Sequence, residues 1–118
     1  MLPEKDRIRL LHIRDHAREA VAIASLRARQ DLDSDRLLNL ALVRLLEIVG
    51  EAAARITEPT KKIVPTIPWS SIVGLRNRLI HGYDDVDFDV LWVIVREDLP
   101  LLVRELDAIL PGGQPPLS

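Results

Sequence analysis

Apolar residues recur along most of the chain at intervals of three and four, the spacing of a single helical face. From Glu4 to about Arg29 the stripe is Leu10, Ile13, Ala17, Ala20, Val21 and Ala24, which predicts a first helix. Gln30 to Asp33 reads as a connection, with Asp33 or Ser34 placed to cap a second helix. That helix runs to about Ile56 on Leu38, Leu42, Leu45, Val49, Ala52 and Ile56, widened by Leu37, Leu46 and Ile48. So broad an apolar surface exceeds what one neighbour requires, so the second helix belongs at the centre of a bundle. Gly50, inside it, costs about 1 kcal/mol relative to alanine, and another backbone is expected to pack close there.

Prolines 59, 65 and 68 interrupt helical structure between Thr57 and Pro68, which reads as a plain surface crossover in preference to a loop over the active cleft whose Lys61 and Lys62 touch RNA. A third, short helix opens at Trp69 or Ser70, carries Ile72, Val73, Leu75, Leu79 and Ile80, and ends near His81 with Gly82 suited to the position just beyond. After an acidic turn, Asp84 to Asp89, in which Asp87 or Asp89 can act as cap, a fourth helix spans Val90 or Leu91 to Leu110. Leu91, Ile94, Val95, Leu102, Leu106 and Ile109 face inward on it, and Pro100 should kink it. The pattern predicts an all-α, four-helix-type bundle over residues 1–110, with a loose proline- and glycine-rich tail at 111–118.

Composition sharpens this picture. Hydrophobic residues make up 47% of the 118 but aromatic ones only 3%, so the core is aliphatic, which disfavours a β-sandwich or barrel. A domain this small buries only a moderate share of its surface, and a partner subunit would help it. With 16 basic and 18 acidic residues the net charge is −2, so any nucleic-acid contact must be local. The absence of cysteine excludes disulfides and thiolate chemistry. No secretion signal and no stretch of ~18 apolar residues is present, so a soluble, cytoplasmic protein with no membrane partner is expected.

The densest chemistry lies at Arg76-Asn77-Arg78-Leu79-Ile80-His81-Gly82-Tyr83. Arginine offers a planar fork of donors that suits a phosphate, and histidine can give or take a proton near neutral pH, a combination that points to phosphodiester chemistry. On a continuous helix Arg76 and His81 would stand roughly 140° apart and about 7.5 Å along the axis, whereas Asn77 and His81 would share a face. Arg76 must therefore reach around, or a second copy must complete the site.

Other candidates are weaker. His12, His16 and Glu19 have a spacing that lets a metal bridge one helical face, but with no further ligand cluster they read as a polar face. Glu47 and Glu51, four apart, can orient an active-site arginine, act as acid and base, or form a solvated face. The acidic turn lacks the glycine and glutamate that a calcium-binding EF-hand loop requires. No phosphate-binding glycine loop, zinc-protease motif or serine-nucleophile elbow is present, so no metal or cofactor is implied.

The motif and its flanks, Ile67 to Leu75 and Asp84 to Trp92, together with Arg44 to Ala53 and Glu97 to Pro100, resemble the HepT-like family of the HEPN superfamily, whose signature is Arg-x4-His-x-Tyr. The resemblance implies a two-fold homodimer whose motifs face a shared cleft, and a metal-independent endoribonuclease acting on transfer or messenger RNA. Arg76, His81 and Asn77 would then be catalytic, and Arg78 a weaker substrate contact. It also implies a toxin paired with a minimal nucleotidyltransferase antitoxin that adenylylates Tyr83. The alternative is a non-catalytic helical dimer that binds and regulates a nucleotidyltransferase, to which the mild acidity and broad apolar stripes are suited.

Overall fold

A computed structural model describes residues 2–82 and 85–110. The architecture is all-α and HEPN-like, in the order α1 (Glu4–Ala24), α2 (Asp31–Ser34), α3 (Arg36–Ala54), α4 (Glu58–Ile63), α5 (Trp69–Val73), α6 (Leu75–Leu79), α7 (Phe88–Val93) and α8 (Leu99–Ile109). A π-helical turn, Ile94–Asp98, joins α7 to α8 without a break in the helical path. The expected tail falls outside the described residues.

α3 is the central rod, packed against α1, α2, α5 and α6. Its Leu42, Leu46 and Val49 are fully buried, as are Leu10, Ile13 and Ala17 of α1 and Leu91, Ile94 and Leu106 of the last rod. Leu37 departs from the predicted stripe and is 80% exposed. The short α2 covers only the adjoining side of α3, where the Asn39 amide donates to the Leu32 carbonyl at 2.9 Å. Arg14 and Arg18 of α1 both reach Asp107 of α8, the latter at 2.7 Å.

Most departures from the predicted boundaries have visible causes. α1 stops at Ala24, and beyond it Arg27 pairs with Asp31 of α2 and with Asp35, and Arg29 with Asp33 of α2 and Asp89 of α7. The cap of α3 is Asp35, whose carboxylate accepts from the Leu38 amide at 3.1 Å, in place of Asp33 or Ser34. The Arg27 guanidinium and that amide hold the Asp35 carboxyl below the usual range. The crossover contains a helix after all, α4, because Pro59 falls in its first turn, where a missing N–H costs nothing. In the last rod the distortion takes the form of a π turn just before Pro100, whose ring would clash with the carbonyl of a regular preceding turn.

Beneath α4 lies the buried carboxylate of Asp6, 1% exposed. It accepts from the hydroxyls of Thr57 and Thr60, each at 2.5 Å, and from the Thr57 amide at 3.3 Å. Burial pushes its carboxyl up, but these hydrogen bonds outweigh that and hold it below the ordinary aspartate value. A depressed value stabilises the fold above the unfolded value near 3.9, and this contribution is lost as pH falls through the folded value. Asp6→Ala is expected to cost about 1–3 kcal/mol at pH 7 in urea denaturation, since Thr60 loses a buried acceptor. Asp6→Asn should flatten the loss of stability below about pH 4, and an unchanged acid limb would rule this source out.

Candidate active site

The candidate motif is presented by an unusually tight junction on α3. At Gly50 an added Cβ would come within 3.2 Å of the Ile72 carbonyl oxygen and 3.9 Å of the Leu75 Cβ, so glycine lets the α5–α6 junction lie directly on the central rod. This is the close backbone approach that Gly50 predicted. The third helix is divided at Gly74, where a Cβ would crowd the Ser70 carbonyl at 3.2 Å, and α6 begins afresh with Leu75 buried beneath it.

α6 ends at Leu79, before His81. Ile80 turns extended and forms an antiparallel bridge with Val86. The His81 amide donates to the Asp85 carbonyl, and the Asp87 amide to the Leu79 carbonyl, both at 2.8 Å. Backbone pairing therefore replaces the last helical turn. The expected 140° offset of Arg76 and His81 does not apply, nor do Asn77 and His81 share a helical face.

Arg76 is exposed on α6, with Nε 3.5 Å from Glu47 Oε2 on α3. Glu47 thus stands beside an arginine of the motif, while Glu51 lies 3.8 Å from Arg44. His81 is exposed, its Nε2 3.9 Å from Asp87 Oδ2, close enough for attraction but too far for a hydrogen bond. The other carboxylate oxygen of Asp87 caps α7 by accepting from the Val90 amide at 3.1 Å. Sequence reasoning found the cap and missed the histidine contact, because the bridge that brings position 87 back to position 81 leaves no periodic signal.

Among the described residues no hydrogen bond or ion pair joins Arg76, Asn77 and His81 to one another. Asn77 is exposed on α6. Arg78, two positions from Arg76, points to a different side of the helix. It borders an apolar cavity of about 330 Å³ floored by Ile72, Leu75, Ile94 and Leu102, with Asp98 and Glu105 also on its wall. Tyr83 lies outside the described residues. On α1, His16 Nδ1 meets the His12 carbonyl at 2.7 Å, and among the described residues no three His, Cys, Asp or Glu side chains converge to hold a metal ion. Lys61 pairs with Glu58 at 3.6 Å. No helix among the described residues is long and apolar enough to cross a membrane.

The all-α bundle thus exposes an arginine and a histidine on one short segment, each beside a carboxylate. The chain belongs to the ribonuclease HepT-like family, whose model matches residues 13–109. It is 40% identical over 76 residues to a Methanocaldococcus jannaschii protein provisionally named as an RNase, covering 64% of this chain and 70% of the relative. To a Thermococcus cleftensis protein provisionally named ribonuclease HepT it is 42% identical over 80 residues, covering 68% and 73%. A Caldanaerobacter subterraneus protein, also provisionally named as an RNase, is 33% identical over 81 residues, covering 69% and 72%. No solved structure gives a significant match.

Proposed function

We propose that the protein is a metal-independent endoribonuclease, the toxin of a pair whose antitoxin is a minimal nucleotidyltransferase. The observation that carries this reading is the exposure of Arg76 and His81 on one short stretch, each beside a single carboxylate, Glu47 and Asp87 respectively. Membership of a ribonuclease family supports RNA as the substrate.

In this mechanism the ribose 2′-oxygen attacks the neighbouring phosphorus while the bond to the 5′-oxygen breaks. His81 takes the 2′-proton or delivers one to the leaving 5′-oxygen. Asp87, beside Nε2, orients the ring and leaves Nδ1 for the substrate. The Arg76 guanidinium stabilises the charge on the phosphorane, and Asn77, no longer on a shared face with His81, contacts a phosphate oxygen. The products are a 2′,3′-cyclic phosphate and a 5′-hydroxyl. No metal is needed, because the nucleophile belongs to the RNA. A two-fold homodimer would set two such motifs across one cleft, so that the second copy supplies the complementary proton transfer. The exposed Leu37 and Leu40 on the outer side of α3 support such a pairing. A 2′-deoxy substitution at the cleaved nucleotide is expected to abolish cutting there and nowhere else, and cleavage at the substituted position would refute 2′-attack.

Regulation follows from Tyr83, two residues beyond His81. Attack of its phenol on the α-phosphate of ATP, with loss of pyrophosphate, would place an anion where it competes with substrate for Arg76. Tyr83→Phe should cleave like the parent and stay active after incubation with the nucleotidyltransferase and ATP, while the parent loses activity and gains the mass of an adenylyl group. Equal loss in both proteins would exclude Tyr83 as the switch. A protein without cleavage activity that still binds the nucleotidyltransferase would instead be a non-catalytic interaction module.

A further inference from the structure

Acids neutralise most of the arginines in this chain. Arg7, Arg14, Arg18, Arg27, Arg29, Arg44 and Arg76 each lie within 4 Å of a carboxylate. Where cations left without such a partner converge on one groove, an external anion can bind. Two of them, Lys5 and Arg55, line the same groove, of about 450 Å³, between the first turns of α1 and the end of α3. Among the described residues neither is in an ion pair. Arg9, on the same wall, is held in place by its hydrogen bond to the Arg55 carbonyl at 3.0 Å, with Asp6 Oδ1 3.9 Å away. The groove thus carries three cations against one carboxylate, Glu51, which Arg44 partly neutralises. Its floor is Ile8, Ile48 and Ala52.

The groove and the candidate active site are both bordered by α3. Glu47, which steers Arg76, stands four residues before Glu51 and eight before Arg55, in one row along α3. Eight residues of helix span about 12 Å, roughly three nucleotides at the stacked rise of about 3.4 Å. We propose that Lys5, Arg9 and Arg55 form a subsite for the RNA backbone, holding phosphates a few nucleotides from the one positioned at Arg76 and His81. No phenylalanine, tyrosine or tryptophan lines the groove, and the one ring on its wall is the His12 imidazole, so stacking is limited to a single base and the cations, which read no sequence, dominate the subsite. This inference rests on the ribonuclease reading, but its test does not depend on cleavage.

The test uses full-length protein carrying His81→Ala, so that RNA stays intact, and fluorescein-labelled 15-nucleotide single strands of mixed sequence and of oligouridine. Anisotropy titrations from 50 to 300 mM salt compare this protein with the same protein carrying Lys5→Gln and Arg55→Gln. Both added substitutions are at exposed side chains, and melting curves verify folding. The expected result is about tenfold weaker binding of both strands at low salt, with the slope of log K against log salt shallower by about 1.4, as two lost phosphate contacts require. The pair Arg96→Gln and Arg104→Gln, exposed cations outside the groove, should leave affinity and slope unchanged. Parent-like affinity and slope in the Lys5/Arg55 variant would overturn the subsite. So would loss of a homodimer in that variant without loss of RNA binding, which would give the groove to a second copy. A His81 parent that cuts no RNA, combined with the predicted loss of binding, would refute the nuclease reading and leave the subsite standing.

Discussion

Replacing His81 with alanine is expected to lower RNA cleavage by about 10²–10⁴-fold while leaving RNA affinity within a factor of two or three. General acid–base transfer contributes about that much, and an imidazole working on a proton contributes little to holding the ground-state substrate. The environment supports such a role: the ring is exposed, and the backbone leading into it is held by the bonds from the His81 amide to the Asp85 carbonyl and from the Asp87 amide to the Leu79 carbonyl. His81→Ala removes the acid–base group without disturbing those hydrogen bonds, so its melting temperature should match the parent's. Asp87→Asn keeps an acceptor for the α7 cap but loses the charge beside Nε2, and should have a smaller effect, about tenfold or less. Single-turnover cleavage with the enzyme in excess separates these effects from binding. A His81→Ala protein with parental rates would remove the histidine from the mechanism.

Arg76→Ala is expected to cost about 10²–10³-fold in the same assay, the loss found when one preorganised donor to a developing oxyanion is removed. Lysine should rescue it poorly, because a point charge does not reproduce two parallel donors. Glu47→Gln should cost far less. Its contact with a guanidinium that is 63% exposed is a longer, solvent-screened ion pair, and such pairs contribute at most about 1 kcal/mol, or roughly fivefold in rate. If Glu47 acts only by positioning Arg76, its substitution should change nothing further in an Arg76→Ala background. A full additional penalty in the double variant would show that Glu47 meets the substrate itself.

Much of the fold was legible because long helices write their buried faces at regular intervals. Leu38, Leu42, Leu45 and Val49 on α3, and Leu91, Ile94, Leu102 and Leu106 on the last rod, are where periodicity puts them. Gly50 was legible for a different reason, since a residue unfavourable to helices inside a strong helical pattern needs a packing cause. Short elements were harder. Pro59 reads as a breaker in isolation yet opens α4, and nothing in Trp69 to His81 announces a division at Gly74. The motif residues were recognisable by chemistry, but their mutual geometry was not. The helix gives way to a bridge between Ile80 and Val86, and a backbone pairing of that kind leaves no periodic trace in the sequence. Glu47 was visible as one half of an acidic pair, whereas its partner became visible only once α6 lay on α3.

The central claim is that this stretch cuts RNA without a metal. The direct measurement is cleavage of a defined mixture of transfer and messenger RNA by purified protein, shown by mass to be unmodified at Tyr83, in excess chelator, beside His81→Ala prepared identically, with the product ends analysed. Fragments ending in 2′,3′-cyclic phosphate from the parent, and none from the variant, are the predicted result. Equal fragments from both proteins, or none from either, would contradict it.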